Sequence, residues 1–477
     1  MSKQYKMLIG GELVTAKTTF SVVNPATEEV IAEVPDAEPA HIEDCLKSAD
    51  KAFASWSKTS LAEREKIILD YANLLEKNKD EIIDILISET GKPIENAEYD
   101  FGMLVTCLKF FIEEAKRLDT PVINDPDGRF HHYISRQPLG IVVGYLAWNF
   151  PLLNIGYKIG PSLAAGCCAI IKPSQVTPMA TLRCAELAIE AGIPAGVLNV
   201  ITSNNYDITN PLLTSDLTSM FTMIGSTKAG VKAMQTACTS VKHFSVELGG
   251  NAPVIVYDDA DVEKAAEKIV GLKFANSGQV CVSPNRVFVH QSIYEKFLSS
   301  ARKHAKQIKL GVGRQEGNIM GPMMTDKERQ RVIGLIEKAI AQGANLVAGG
   351  SVPSDKQKGF YLEPTILSDV SLDMAVANDE IFGPVLPVIP YSDSDDIIEL
   401  ANDNQYGLSA YVFTESLKRG MQAAENIQAG SVCINEPHYS VQLPHGGLKQ
   451  SGVGKDCSRY SLQEYLTLKR VSVLIKD

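Results

Sequence analysis

Ile141-Val142-Val143-Gly144-Tyr145-Leu146-Ala147-Trp148-Asn149-Phe150-Pro151 is a short apolar run that ends in a polar and aromatic loop at a proline. Pro138-Leu139-Gly140 breaks the chain just before it, so Ile141–Tyr145 is read as a strand rather than part of a buried helix. Similar runs follow at Cys168–Ile171, Val197–Ile201, Met220–Ile224 and Phe244–Leu248, with helical segments between them. A recurrence of about 20 to 30 residues is what strand–helix–strand units produce. Strands that are apolar throughout point to a parallel sheet covered on both faces. The fold class expected is therefore α/β.

Upstream, from Glu38 to about Lys116, apolar residues recur three and four apart, as in Ile42-Cys45-Ala49-Phe53 and Ile67-Ile68-Tyr71-Leu74-Leu75. That is the period of amphipathic helices. Met1 to Val14 reads as a hairpin turning at Gly10-Gly11, and Arg117–Gln137 as a second hairpin. Downstream, a second alternating region comprises strands at Val254–Val256, Arg286–His290 and Asn345–Ala348. Its helices fall near Ala260–Phe274, Tyr294–Ile308 and Lys327–Gln342. The final run, Tyr465–Ile475, alternates in part and is expected to add a strand to another subunit's sheet.

With 477 residues the chain is too long for one ordinary core, so two or more lobes are expected. A hydrophobic fraction of 45% beside 22% charged residues is the balance of a soluble globular protein. The net charge of -11 argues against nucleic acid as a partner, since a phosphate backbone rewards basic surfaces. No run approaches the roughly 18 apolar residues of a membrane helix, and the amino terminus lacks a signal-like segment, so neither membrane nor secretion is expected. Nine scattered cysteines form neither a disulfide framework nor a paired CxxC metal site. The cytoplasm and no bound metal are the expectations.

Three segments carry chemistry. Asn276-Ser277-Gly278-Gln279-Val280-Cys281 sets a cysteine behind a small, glycine-containing loop, where converging backbone amides favour a thiolate and a neighbouring oxyanion. Glu247-Leu248-Gly249-Gly250 puts a carboxylate at a strand end beside two glycines that leave room. Asn149 supplies a side-chain amide at the end of the strand Ile141–Tyr145. Taken singly, each has an ordinary reading: a buried small hydrophobe, a surface charge, a loop turn.

Together, and in this order, the segments resemble the aldehyde dehydrogenase superfamily. Asn24-Pro25-Ala26-Thr27, Gly91-Lys92-Pro93, Lys172-Pro173-Ser174, Gly225-Ser226, Glu380-Ile381-Phe382-Gly383-Pro384, Asn435, Gly446-Gly447 and Lys449-Gln450-Ser451-Gly452 extend the likeness nearly end to end. The resemblance implies oxidation of a small aldehyde to its acid with NAD, or NADP, as hydride acceptor. Cys281 would be the nucleophile, Glu247 the base that activates water, and Asn149 with the Cys281 N–H the oxyanion donors. It assigns Lys172 to the adenosine ribose, the Gly225-Ser226 helix start to the pyrophosphate, Glu380 to the nicotinamide ribose and Phe382 to the side of the ring. Leu146, Trp148, Ser174, Gln175 and Leu248 would complete the cofactor site. Tyr157, Val282 and His445 would line the substrate pocket.

The implied architecture has a Rossmann-type cofactor lobe (1–116 and 138–250), an α/β catalytic lobe (251–437) and a small β element for oligomerisation (117–137 and 456–477). A homodimer or homotetramer follows from that element.

The chain departs from its family at several places. The segment Ile201 to Thr209 carries no glycine where spaced glycines are usual, so the packing on the adenine side must differ. Met223-Ile224 replaces Phe-Thr. Gln175 stands where NAD-using relatives often have Glu, which lowers the repulsion of a 2′-phosphate. Tyr157 stands where some semialdehyde-oxidising relatives have Arg, and His445 replaces a common Phe. Two rival readings remain: a CoA-acylating enzyme with the same cysteine, and a catalytically silent member of the fold. Glu247 favours water over CoA as the acceptor.

Overall fold

The computed structural model describes residues 4–356 and 358–476. Met1–Lys3 of the first expected hairpin and Asp477 of the last expected element lie outside the described residues.

The helical period upstream becomes the helices Pro39–Trp56, Leu61–Lys77, Lys79–Thr90 and Ile94–Ala115. The Ser60 hydroxyl caps the second of these by accepting from the Glu63 amide at 3.2 Å. Ile68, Tyr71, Ala72 and Leu75 form its buried stripe. The amino-terminal hairpin pairs Met7–Ile9 with Glu12–Val14 across Gly10-Gly11, as its turn residues require.

Eight strands make the first sheet. At its centre Ile141–Tyr145 lies parallel to Cys168–Lys172 on one side and to Thr218–Ile224 on the other. Leu198–Val200 extends the first side and His243–Glu247 the second. Chain direction across the sheet therefore reverses beside Ile141–Tyr145. In doubly wound sheets the crevice outside the strand carboxyl ends at such a reversal is where ligands bind. Leu146–Asn149, Lys172, Gly225 and Glu247 all sit at those ends.

A second sheet of seven strands runs in the order Asn345–Ala348, Thr365–Ser368, Val385–Tyr391, Pro284–His290, Ala252–Val256, Ser409–Phe413, Ser431–Ile434. Only Asn345–Ala348 pairs antiparallel. One apolar core surrounds the first sheet, and two more cover the faces of the second. The chain passes between the sheets at Leu248–Asn251, so the end of His243–Glu247 lies at the seam. Gly452–Val453, late in sequence, returns to pair with Val246 and Glu247 at the first sheet's edge.

The last strand, Leu466–Leu474, pairs in antiparallel register over its whole length with Phe130–Pro138, in the hairpin that the resemblance groups with it, and among the described residues its outer edge pairs with no strand. Val122–Asn124 completes this three-stranded sheet. The hairpin provides a ready edge close in space, and its alternation matches the partner strand. Among the described residues no helix is long and apolar enough to cross a membrane.

Candidate active site

The cysteine loop leaves the helix Val262–Phe274 and immediately turns left-handed. Asn276, Ser277 and Gly278 have φ of 47°, 59° and 70°. For the two non-glycine residues such a backbone costs about 1–3 kcal/mol each, so it persists only where the surroundings impose it. The braces are visible. The Ser277 hydroxyl donates to the Gly321 carbonyl at 2.6 Å, and the Gln279 amide donates to the Asn276 carbonyl at 3.0 Å. Met324 N–H donates to Gln279 Oε1 at 2.8 Å. At Gly278 a Cβ would lie 2.1 Å from the Gly383 carbonyl oxygen, so only glycine closes this turn.

Asn149 is buried against the same loop. Its Nδ2 donates to the Gln279 carbonyl at 3.1 Å, leaving its second amide hydrogen for the cleft. Asn276 Nδ2 donates back to the Asn149 carbonyl at 3.2 Å. Glu247 closes the group from the other lobe. The Glu247, Cys281 and His445 ligand atoms all lie within 4.8 Å of one another, and Glu247 Oε1 is buried without a hydrogen-bond donor. Burial and the facing Glu247 carboxylate push the Cys281 thiol well above its usual range. Gly250 permits this closeness, because a Cβ there would lie 2.2 Å from the Cys281 carbonyl oxygen. The three residues singled out in sequence thus meet in one cleft.

The expected cofactor residues gather at the reversal. Lys172 is buried, which lowers its ammonium to about 8, and its Nζ lies 4.5 Å from the centre of the Tyr206 ring. Ser174 and Gln175 are half-buried in the turn that follows. Ser226 caps the helix Thr227–Ala237 by accepting from the Ala229 amide. Its exposed amino terminus suits a phosphate. Leu146 is tied to the Lys172 carbonyl at 3.0 Å, and Leu248 to the Ser451 carbonyl at 3.0 Å. Trp148 and Phe382 meet edge to face at 5.3 Å. Glu380 Oε1 accepts from the Gly250 amide at 2.8 Å, and enclosure lifts its carboxyl to about 7.

The glycine-free segment is not one loop. Tyr206–Thr214 is a helix, capped by Asn205 accepting from the Asp207 amide at 2.9 Å. Thr202 donates to the Pro35 carbonyl at 2.6 Å and Ser203 to Asp36 Oδ1 at 2.9 Å. Polar side chains hold this turn where glycines would have let backbones approach.

A cavity of about 330 Å³ adjoins the cleft, lined by Tyr99, Tyr157, Tyr439, Glu436, Cys433 and His445 among others. Tyr157 belongs to the helix Pro151–Ala165, all of whose residues are buried. Val282, also buried, turns its carbonyl to the Tyr411 hydroxyl at 2.7 Å. His445 stands deeper than a pocket edge: its Nε2 is 3.5 Å from Glu247 Oε1. Tyr99, Tyr439 and the Gln279 brace went unnoticed in sequence, where a tyrosine or glutamine carries no local signature.

The aldehyde dehydrogenase family's model matches residues 13–471. The mitochondrial succinate-semialdehyde dehydrogenase of Oryza sativa subsp. japonica is 40% identical over 97% of this chain and 88% of its own. A crystal structure described as an E. coli NADP dependent enzyme superposes with a TM-score of 0.96 at 34% identity, covering 99% of this chain and 98% of that one. The betaine aldehyde dehydrogenase of Staphylococcus aureus, solved with NAD+, gives 0.95 at 31% identity over 98% and 94%. With the cysteine, carboxylate and amide converging beside a dinucleotide crevice, these matches establish that the chain belongs to the aldehyde dehydrogenase family, as an NAD(P)-dependent enzyme that oxidises an aldehyde to its carboxylic acid.

Proposed function

We propose that Cys281 is the nucleophile, Glu247 the base and Asn149 the oxyanion donor of this oxidation. The single observation that carries the reading is the convergence of Cys281 and Glu247, from different lobes, with an unpartnered carboxylate oxygen between them. Glu247 takes the thiol proton and the sulfur attacks the aldehyde carbon. The free hydrogen of Asn149 Nδ2 and the Cys281 backbone N–H hold the oxyanion of the thiohemiacetal. A bound nicotinamide dinucleotide supplies the hydride acceptor. Lys172, the Ser226 helix start and Glu380 offer a cation, free amides and a carboxylate in the order that ribose, pyrophosphate and second ribose need. Once the thioester has formed, Glu247 draws a proton from water, which attacks the acyl carbon and releases the acid.

The substrate reading rests on the cavity. Among the described residues no lysine or arginine lines it, whereas three tyrosines and Glu436 do. A distal carboxylate would lose its hydration there without gaining a cation. The preferred substrates are therefore uncharged or amino-bearing aldehydes, unlike the succinate semialdehyde of the rice relative's name. Benzaldehyde, aminobutyraldehyde, lactaldehyde, glycolaldehyde and succinic semialdehyde, each assayed with NAD and NADP, test this. The best of the first four should exceed the semialdehyde in kcat/KM by at least about tenfold. Preference for the semialdehyde would overturn the substrate reading and leave the catalytic one intact.

The three-stranded sheet supports a homo-oligomer, a dimer or tetramer. Val122, Ile123, Leu468, Val473 and Leu474 are exposed on it, an apolar concentration that a lone subunit would leave in water. Nine free thiols, most of them buried, fit a reducing compartment such as the cytoplasm.

A further inference from the structure

His445 turns the catalytic cleft into something more than a nucleophile and a base. A thiol, an imidazole and a carboxylate face one hollow, with their ligand atoms within 4.8 Å of one another. This is the donor set that zinc prefers, and bonds of about 2.0–2.3 Å to such donors put neighbouring ligand atoms about 3.5 Å apart in a tetrahedron. The His445 Nε2 to Glu247 Oε1 separation is already 3.5 Å. Glu247 Oε1 is buried, faces the hollow and accepts no hydrogen bond, its His445 Nε2 neighbour lying 3.5 Å away. A buried carboxylate oxygen of this kind lacks the partner that burial ordinarily demands.

Lys158, on the adjacent buried helix, is engaged by Asp456 at 2.7 and 2.8 Å. The His445 backbone is pinned to Asp456 in both directions, by its N–H at 2.7 Å and its carbonyl at 2.6 Å, so the imidazole is presented on a fixed base. Glu247 is fixed in turn by strand pairing on both sides. Two of three ligands are thus preorganised. The fourth position would face the cavity that His445 and Tyr439 line, where water can complete the shell.

We propose that Glu247, Cys281 and His445 form a zinc site that reversibly switches the enzyme off by capturing its nucleophile and its base together. Zn2+ binds the sulfur as the thiolate, and the thiol proton leaves to solvent. Aldehyde and metal then compete for Cys281. Binding does not depend on the identity of the aldehyde or on the catalytic roles proposed above, whereas inhibition does, so the two are read separately.

Co2+ is the optical probe. Added to EDTA-treated full-length enzyme, it should bind at one equivalent with a thiolate-to-cobalt charge-transfer band, and Zn2+ should abolish that band by displacement. Cys281→Ser should remove the band, and His445→Phe should weaken Co2+ binding at least about tenfold, as loss of a ligand demands. Zn2+ should also slow alkylation of the Cys281 peptide by iodoacetamide and inhibit in competition with aldehyde, with recovery on EDTA. Thermal melting without metal checks that each variant folds, and His445→Asn replaces His445→Phe if the latter does not. No band at one equivalent, a band that survives Cys281→Ser, or unchanged affinity in the His445 variant would overturn the site. Metal binding with the full set of ligand effects but without inhibition would keep the site and refute its switching role, while aldehyde oxidation at the wild-type rate in Cys281→Ser would separately refute the nucleophile assignment.

Discussion

At the scale of the residue, the cleft separates roles that a sequence lumps together. Asn149 has one amide hydrogen committed to the Gln279 carbonyl and one free. Asn149→Ala should therefore lower kcat by about 10²–10³ with little change in KM, because the lost donor acts on charge present only in the transition state. Steady-state kinetics on the best aldehyde checks this; a rise in KM alone would assign Asn149 to substrate binding. Glu380 carries a pH signature. Its carboxyl rises from the usual 4.5 to about 7 in the folded protein, so the folded state holds a proton that the unfolded chain has released. Its contribution to stability is complete below 4.5 and is lost as pH rises through about 7. Melting temperatures of the cofactor-free enzyme and Glu380→Gln, compared across that window, should converge on a smaller pH slope for the variant. An equal slope would mean that the carboxyl titrates normally. The meeting of Asn149, Glu247 and Cys281 in one cleft was legible in sequence because three rare segments stood in a fixed order. His445 was legible only as a departure from pattern; its approach to Glu247 depends on the turn near Asp456, which no local sequence rule encodes.

Among the elements, the cysteine loop concentrates the strain, with Asn276 and Ser277 held left-handed by bonds from Gly321, Asn149 and Met324. Gly278→Ala places a methyl against the Gly383 carbonyl and adds a positive-φ penalty, so it should destabilise the protein by about 1–3 kcal/mol and misplace the nucleophile. Denaturant unfolding and iodoacetamide reactivity of Cys281 measure the two effects; an unperturbed variant would show that the loop is pliable. The parallel strands from Ile141 to Glu247 and the helical character of Glu38–Lys116 followed from period and composition, because burial imposes those patterns, whereas Thr365–Ser368, Val385–Tyr391, Ser409–Phe413 and Ser431–Ile434 of the second sheet were not read. The pairing of Leu466–Leu474 with the hairpin Val122–Pro138 was legible only through the family resemblance, which grouped the two segments, because alternation says that a strand will form and leaves open which edge it joins. The stretch from Ile201 to Thr209 misled for a related reason: absent glycines suggested an altered loop, whereas Asn205 starts a helix there that sets Tyr206 beside Lys172.

For the whole molecule, the proposed mechanism depends on two sheets meeting at Leu248–Asn251, since Glu247 ends a strand of one and Cys281 lies in the turn that leads into the strand Pro284–His290 of the other. The exposed apolar face of the three-stranded sheet predicts that Leu468→Lys with Val473→Lys will dissociate the assembly, read as a lower mass by light scattering; an unchanged mass would move the interface elsewhere. In the proposed mechanism Cys281 carries the acyl group and Glu247 removes it. The direct measurement is mass spectrometry of Glu247→Gln after mixing with aldehyde and NAD. The expected result is a stable acyl adduct on the Cys281 peptide, together with one equivalent of NADH and slow release of acid. Acid formation at the wild-type rate, or an adduct on a different cysteine, would contradict it.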